Sequence, residues 1–215
     1  TVENVTWIKP KISFKEVLEK YGYPVVSKET AQKISEIQTT NSEKLRNKRL
    51  FGDEKGNGKI AEKWKFLVDA PFKISSKCCN VLKKNPVKSF EKLSGLSAIV
   101  GTMAEESSLR LTSYLKQGCN SFKNRAQSRP LSIWTEADIY EYIEKLNLPI
   151  SEIYHKGAKR TGCIFCMFGA QFVDDNRFEL LKKIHPQLYK YCMETLGIEK
   201  VMEFVKSGGA AKGEI

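Results

Sequence analysis

Two pairs of cysteines carry most of the chemistry available to this 215-residue chain. Gly162-Cys163-Ile-Phe-Cys166 has the C-x-x-C spacing, which lets two thiolates face one ion or one cluster. Taken singly, that spacing fits a redox pair or half of a zinc site equally well. Cys78 and Cys79 form a second, vicinal pair, flanked by Lys77 and by Lys83-Lys84. Two pairs far apart in sequence supply the four thiolates of a four-cysteine metal centre. Adjacent residues do not readily direct both side chains to two vertices of one tetrahedral ion. The corners of an iron–sulfur cubane lie on separate iron atoms, so neighbouring cysteines can each reach one. The four residues therefore favour a 4Fe–4S cluster, with zinc as the alternative. A blander reading keeps Cys78 and Cys79 as small core side chains. The neighbouring cations count against it, because they favour thiolate.

Two cysteines remain. Cys119, in Lys116-Gln-Gly-Cys-Asn120, follows a helix-ending glycine and reads as a loop residue or a candidate nucleophile. Cys192, between Tyr191 and Met193, reads as a core filler.

The elements that must position these residues follow from local patterns. Val5-Thr-Trp-Ile8 reads as a short strand ended by Pro10. Ser13 caps a helix with Phe14, Val17 and Leu18 inward, stopped by Gly22 and Pro24. Pro24 to Ser27 is extended. Residues 29–50 read as a polar helix or helical pair over the core, and Gly52 to Gly58 as a loop. Ile60, Trp64, Leu67 and Val68 recur at helical spacing. Ser97 to Gly101 reads as a buried strand leading to a helix over 105–116, the signature of an α/β sheet. Thr135, with Asp138 three residues on, begins a helix whose inward face is Ile139, Ile143 and Leu146. A further helix runs from Asp175 past Pro186, where a new turn or bend is expected. The last helix carries Ile198, Val201 and Val205 inward and stops at Gly208-Gly209, with a frayed tail beyond.

Composition narrows the class. Hydrophobic residues make up 41% and charged residues 28%, an ordinary globular balance. No apolar run approaches the roughly 18 residues of a membrane helix, so a membrane partner is not expected. The segment Thr1 to Ile8 lacks the features of a secretory signal. With six cysteines, this points to a reducing, cytoplasmic setting. The absence of an initial methionine fits a processed terminus or a chain that begins partway through a larger protein. A net charge of +11 and a pI of about 9.3 favour anionic partners: phosphate or sulfate esters, nucleotides or nucleic acid.

The order of motifs resembles the phosphoadenylyl-sulfate and adenylyl-sulfate reductase family, within the adenine-nucleotide α-hydrolase-like folds. The resemblance runs from Val5 to Gly169. It begins with Trp7-Ile-Lys-Pro10 and with Phe14, Val17 and Tyr21-Gly-Tyr-Pro24, and continues through Ser76-Lys-Cys-Cys-Asn80 with Lys83, Lys84 and Pro86. Gly101-Thr-Met-Ala-Glu-Glu-Ser107 with Arg110 follows, then Pro130-Leu-Ser-Ile-Trp-Thr135, Asp138-Ile-Tyr140 and Leu148-Pro149. It ends with Tyr154 and Gly157 leading to Gly162 and the C-x-x-C pair.

The resemblance implies an α/β fold: a parallel sheet flanked by helices over residues 1–170, without its first βα unit, and a helical C-terminal extension over 171–215. It implies a 4Fe–4S cluster on Cys78, Cys79, Cys163 and Cys166. Lys77, Lys83, Ser107, Arg110 and Arg160 then hold the phosphosulfate end of an adenine sulfonucleotide. A thiol or another electron-donor protein is implied as partner, and a homo-oligomer is compatible with this reading. Two departures stand out. The pyrophosphate loop, a Ser-Gly-Gly-Lys-Asp-Ser-like segment, has no counterpart, and the tail Lys206 to Ile215 lacks the family's C-terminal cysteine. Cys119 is then the unassigned candidate for catalysis. Three functions stay open: sulfonucleotide reduction or related sulfur activation, ATP-dependent sulfur transfer to nucleic acid, and a metal-stabilised binding module without catalysis.

Overall fold

The computed structural model describes residues 3–122, 125–158, 161–172 and 174–209. The chain divides into two compact units, one formed by Thr1–Pro86 with Gly157–Ile215 and the other by Val87–Lys156.

In the first unit, α1 (Phe14–Tyr21) starts at a reciprocal capping box. The Ser13 hydroxyl accepts from the Glu16 amide, and the Glu16 carboxylate accepts from the Ser13 amide. Gly22 ends it at φ +102, where an added Cβ would lie 2.2 Å from the Lys73 carbonyl oxygen, so only glycine fits. The polar stretch forms a helical pair, α2 (Lys28–Thr39) and α3 (Glu43–Phe51), started by Ser27 and Ser42 hydroxyls. Despite its polar sequence, α2 is a core helix, with Ala31, Ile34 and Ile37 buried. Glu62–Asp69 winds as a 3₁₀ helix. A π-turn, Asn80–Lys84, runs into α4 (Asn85–Ser94).

After the second unit, α8 (Arg177–Ile184) ends at His185, and Pro186 opens α9 (Pro186–Lys190), as the missing proline amide dictates. A second π-turn, Tyr191–Thr195, leads to α10 (Ile198–Lys206). Ile198, Val201, Phe204 and Val205 of α10 are buried. Distant parts of the chain meet in this core: Phe72 packs edge-on against Phe204 at 5.4 Å and against Tyr23 at 5.7 Å. The Tyr23 hydroxyl donates to the Leu196 carbonyl at 3.0 Å.

The second unit carries a mixed sheet of three two-residue strands in the order β1-β3-β2. β1 (Ala98–Ile99) runs parallel to β3 (Gln127–Ser128), and β2 (Asn120–Ser121) runs antiparallel to it. Helix α4 runs from the end of the first unit into this one, whose other helices are α5 (Ser108–Gln117), α6 (Glu136–Lys145) and α7 (Glu152–His155). The fold is thus a helix-rich α/β arrangement with a small sheet of parallel and antiparallel pairs.

Four sequence expectations need correction. Val5 to Ile8 is not a strand: its residues make no ladder, and Trp7 is 86% exposed. The strand expected over 97–101 shortens to Ala98–Ile99, and Ile99 is 76% exposed rather than buried. The α6 face is only half-covered at Ile139 and Ile143, and Leu146 is exposed. For Ile99 and α6 the cause is the size of the sheet: two-residue strands offer little apolar area to pack against. Helix α5 starts later than expected because Ser107 is its N-cap, its hydroxyl accepting from the Arg110 amide. Among the described residues, no helix is long and apolar enough to cross a membrane.

Candidate metal centre

A short segment, Tyr23 to Val26, splints the two cysteine pairs. On one side Tyr23 bridges Ile74: the Tyr23 amide donates to the Lys73 carbonyl at 2.8 Å, and the Ser75 amide donates to the Tyr23 carbonyl at 3.0 Å. Four residues beyond Ile74, the chain turns into a helical segment that carries Cys78 and Cys79. The buried Ser75 starts this turn, its hydroxyl accepting from the Lys77 amide. On the other side Val26 bridges Phe168, two residues past Cys166. The Gly169 amide and the Gln171 Nε2 both donate to the Val26 carbonyl. Val26 sits at φ +61, a strained position for a β-branched residue, and these bonds hold it there. The C-x-x-C loop is closed by the Cys166 amide donating to the Cys163 carbonyl at 3.0 Å.

The sulfurs are in electrostatic reach of one another. Cys78 is buried, and its thiol lies 4.0 Å from the Cys79 sulfur. Hydrogen bonding to Cys79, then burial, then the charges of Cys79 and Cys166 push the Cys78 thiol far up. Cys79 moves the other way, to about 6: the Cys78 thiol donates to it, burial opposes the shift, and Lys28, Lys83 and Lys84 add to it. Burial raises Cys166, against the Phe168 amide and Arg177, while the charges of Cys163 and Cys79 raise it further. Burial disfavours the Lys83 ammonium, but Cys163, to which it hydrogen-bonds, together with Cys79 and Cys166, holds its pKa above the ordinary value. The two pairs and Lys83 therefore form one neighbourhood.

Arg177, eleven residues after Cys166, belongs to this neighbourhood and has no signal in the sequence. Its Nη1 donates to the Cys166 carbonyl at 2.8 Å, and its Nε donates to Asp175 at 2.7 Å. Asp175 thus orients the guanidinium against the cysteine loop.

The remaining candidates separate. Lys77 adjoins Cys78, yet its ammonium lies 5.1 Å from the Tyr21 ring centroid. Ser107, Arg110 and Cys119 belong to the Val87–Lys156 unit. Ser107 caps α5, Arg110 pairs with Glu106, and the half-buried Cys119 accepts at its carbonyl from the Arg129 amide. Arg160 lies outside the described residues. Cys192 is fully buried in the core, and burial pushes its thiol up to about 12.

In donor chemistry the four cysteines suit a thiolate-held metal centre: all donors are sulfur, two pairs share one electrostatic environment, and Lys83 offsets their negative charge. Among the described residues, no three His, Cys, Asp or Glu side chains are gathered as ligands for a single metal ion.

Comparison with known families matches residues 4–168 to the phosphoadenosine phosphosulfate reductase domain. An adenosine 5′-phosphosulfate reductase of Lysinibacillus sphaericus is 33% identical over 103 residues, covering 47% of this chain and 43% of the relative. The corresponding enzyme of Oceanobacillus iheyensis is 34% identical over 101 residues, covering 46% and 41%. A sulfate adenylyltransferase subunit 2 of a Methylobacterium species is 36% identical over 103 residues, covering 45% and 31%. The matched region thus spans less than half the length of these curated relatives. No solved structure matches.

Proposed function

The chain belongs to the phosphoadenosine phosphosulfate reductase domain family, and from that premise we propose that it carries a 4Fe–4S cluster and acts on an adenylylated sulfur substrate, in sulfonucleotide reduction or a related sulfur activation. One observation carries the reading. Cys78 and Cys79, remote in sequence from Cys163 and Cys166, share their electrostatic environment and a common cation, Lys83. In this reading the four cysteines hold the cluster, residues 1–170 form the reductase-like α/β domain, and 171–215 its helical C-terminal extension.

When bound, the cluster supplies a polarising charge distribution near the phosphosulfate. The chain's own groups do the rest. Lys83 balances the thiolates and presents an ammonium to the sulfonucleotide, a role for which a compact tetrahedral anion is well suited. On the family resemblance alone, Lys77, Ser107, Arg110 and Arg160 are further candidates for anion binding, and Cys119 is the candidate nucleophile. Arg177 fixes the carbonyl of Cys166 and so the orientation of the C-x-x-C loop.

The relatives named as adenosine 5′-phosphosulfate reductases support adenosine 5′-phosphosulfate as the substrate class. Those named as a subunit of sulfate adenylyltransferase support the same sulfonucleotide chemistry and a partner subunit. A thiol or protein electron donor and a cytoplasmic setting complete the proposal.

Anaerobic purification followed by iron and sulfide analysis tests it. The expected result is about four of each per chain. One zinc per chain without sulfide rejects the cluster.

A further inference from the structure

A groove in the first unit, formed by α1, α2 and residues 70–77, has a volume of about 440 Å³. Lys20, Lys73 and Lys77 line it together with Tyr21, Thr39 and Ser75, and among the described residues no carboxylate lines it.

The groove has a fixed floor. The Tyr23–Ile74 bridge pins the chain bearing Lys73 to the end of α1, and the close approach at Gly22 leaves no slack between them. Gln38 clamps the same strand from α2. Its Oε1 accepts from the Ile74 amide at 2.9 Å, and its Nε2 donates to the Phe72 carbonyl at 3.2 Å. Two of the ammonium groups are gathered by one aromatic ring: Lys20 lies 5.5 Å and Lys77 5.1 Å from the Tyr21 centroid.

Some lysines elsewhere in the chain find carboxylates, as Lys33 does with Glu29, Lys65 with Glu62 and Lys145 with Glu141. Among the described residues, Lys20, Lys73 and Lys77 make no such ion pair. Three like charges around one concavity repel each other and concentrate positive potential there, which a bound anion relieves. Ammonium donors suit the oxygens of phosphate, and the volume exceeds what a single phosphate fills.

We propose that this groove is a binding site for an anion bearing two or more phosphate groups, either a free nucleotide or the backbone of a single-stranded nucleic acid. The site does not depend on the metal reading, and Lys77 is the only residue it shares with the proposed substrate set.

Calorimetric titration of the protein with inorganic pyrophosphate tests the site. The K20E/K73E variant is compared with K11E/K55E, which changes the net charge equally at exposed positions of the same unit that do not line the groove. We expect K20E/K73E to weaken pyrophosphate binding about tenfold and the control pair to change it less than about twofold. Competition then separates the sources. Displacement of pyrophosphate by deca-uridylate supports a nucleic-acid backbone, and displacement by ADP alone supports a free nucleotide. Equal affinity in the two double variants, or no saturable binding by the unaltered protein, overturns the proposal. Retained binding in Cys163→Ser separates its fate from that of the cluster.

Discussion

Arg177 donates from Nη1 to the carbonyl oxygen of Cys166 at 2.8 Å, while Asp175 holds the same guanidinium through Nε at 2.7 Å. This places a fixed cation behind the C-x-x-C loop. Charge-assisted bonds of this kind contribute more than neutral ones. Arg177→Ala removes the guanidinium bonds to the Cys166 carbonyl and to the Asp175 carboxylate and should cost roughly 2 kcal/mol of stability. Urea unfolding measures it. A midpoint equal to that of the unaltered protein refutes the orienting role. Arg177→Lys, which keeps the charge but loses the fork, should recover only part of the loss.

Single replacement of Cys79 or Cys163 by serine should reduce bound iron and sulfide well below about four per chain, because each removes one thiolate donor. Cys192→Ser serves as the contrast. It should leave the iron content unchanged and lower stability by about 1–3 kcal/mol, because it places a hydroxyl in a fully buried apolar site. Equal iron loss in all three variants would falsify the assignment of the two cysteine pairs.

Cys119→Ser should retain iron and sulfide yet lose reduction of adenosine 5′-phosphosulfate. Assaying both quantities on the same preparation separates the nucleophile from the cluster. Full activity in this variant removes Cys119 from the chemistry.

Gly22→Ala should be among the most damaging small substitutions. The residue occupies φ +102, and the new Cβ meets the Lys73 carbonyl oxygen at 2.2 Å. Backbone cannot yield as a flexible side chain does, so a loss of roughly 3 kcal/mol or more is expected. A thermal midpoint within a degree or two of the unaltered protein would show that the α1 end and residues 73–75 separate freely.

Tyr23 supplies an alkaline limb to stability. Burial raises its pKa above the ordinary value, and the charge of Glu19 adds to the effect. The folded state therefore favours the protonated phenol, whose hydroxyl donates to the Leu196 carbonyl. Its contribution is fully present below the unfolded pKa near 10 and is lost as pH rises through the higher folded value. Denaturant midpoints between pH 8 and 11 should fall more steeply for the unaltered protein than for Tyr23→Phe. Parallel slopes would count against this titration.

Local order was legible in the residues themselves. The Ser13–Glu16 and Thr135–Asp138 capping boxes, the new turn at Pro186, and the inward face of α10 each depend on neighbours within about one or two helical turns, so their sequence patterns suffice. The types of the four cysteines and their basic flanks were equally plain. Burial was less so. Apolar character at Trp7, Ile99 and Leu146 records a capacity to be covered, but coverage depends on area supplied by other elements, and these residues are exposed. The buried side of α2 went the opposite way, because a few apolar residues at the right phase suffice when a core surrounds them. Only the tertiary structure decided that Tyr23 to Val26 bridges Ile74 on one side and Phe168 on the other, setting the two cysteine pairs in a shared field. It also decided that Arg177 backs Cys166. Such pairings join backbone groups that any residue possesses, across separations that no local pattern encodes; the chain reveals them only when its core has closed.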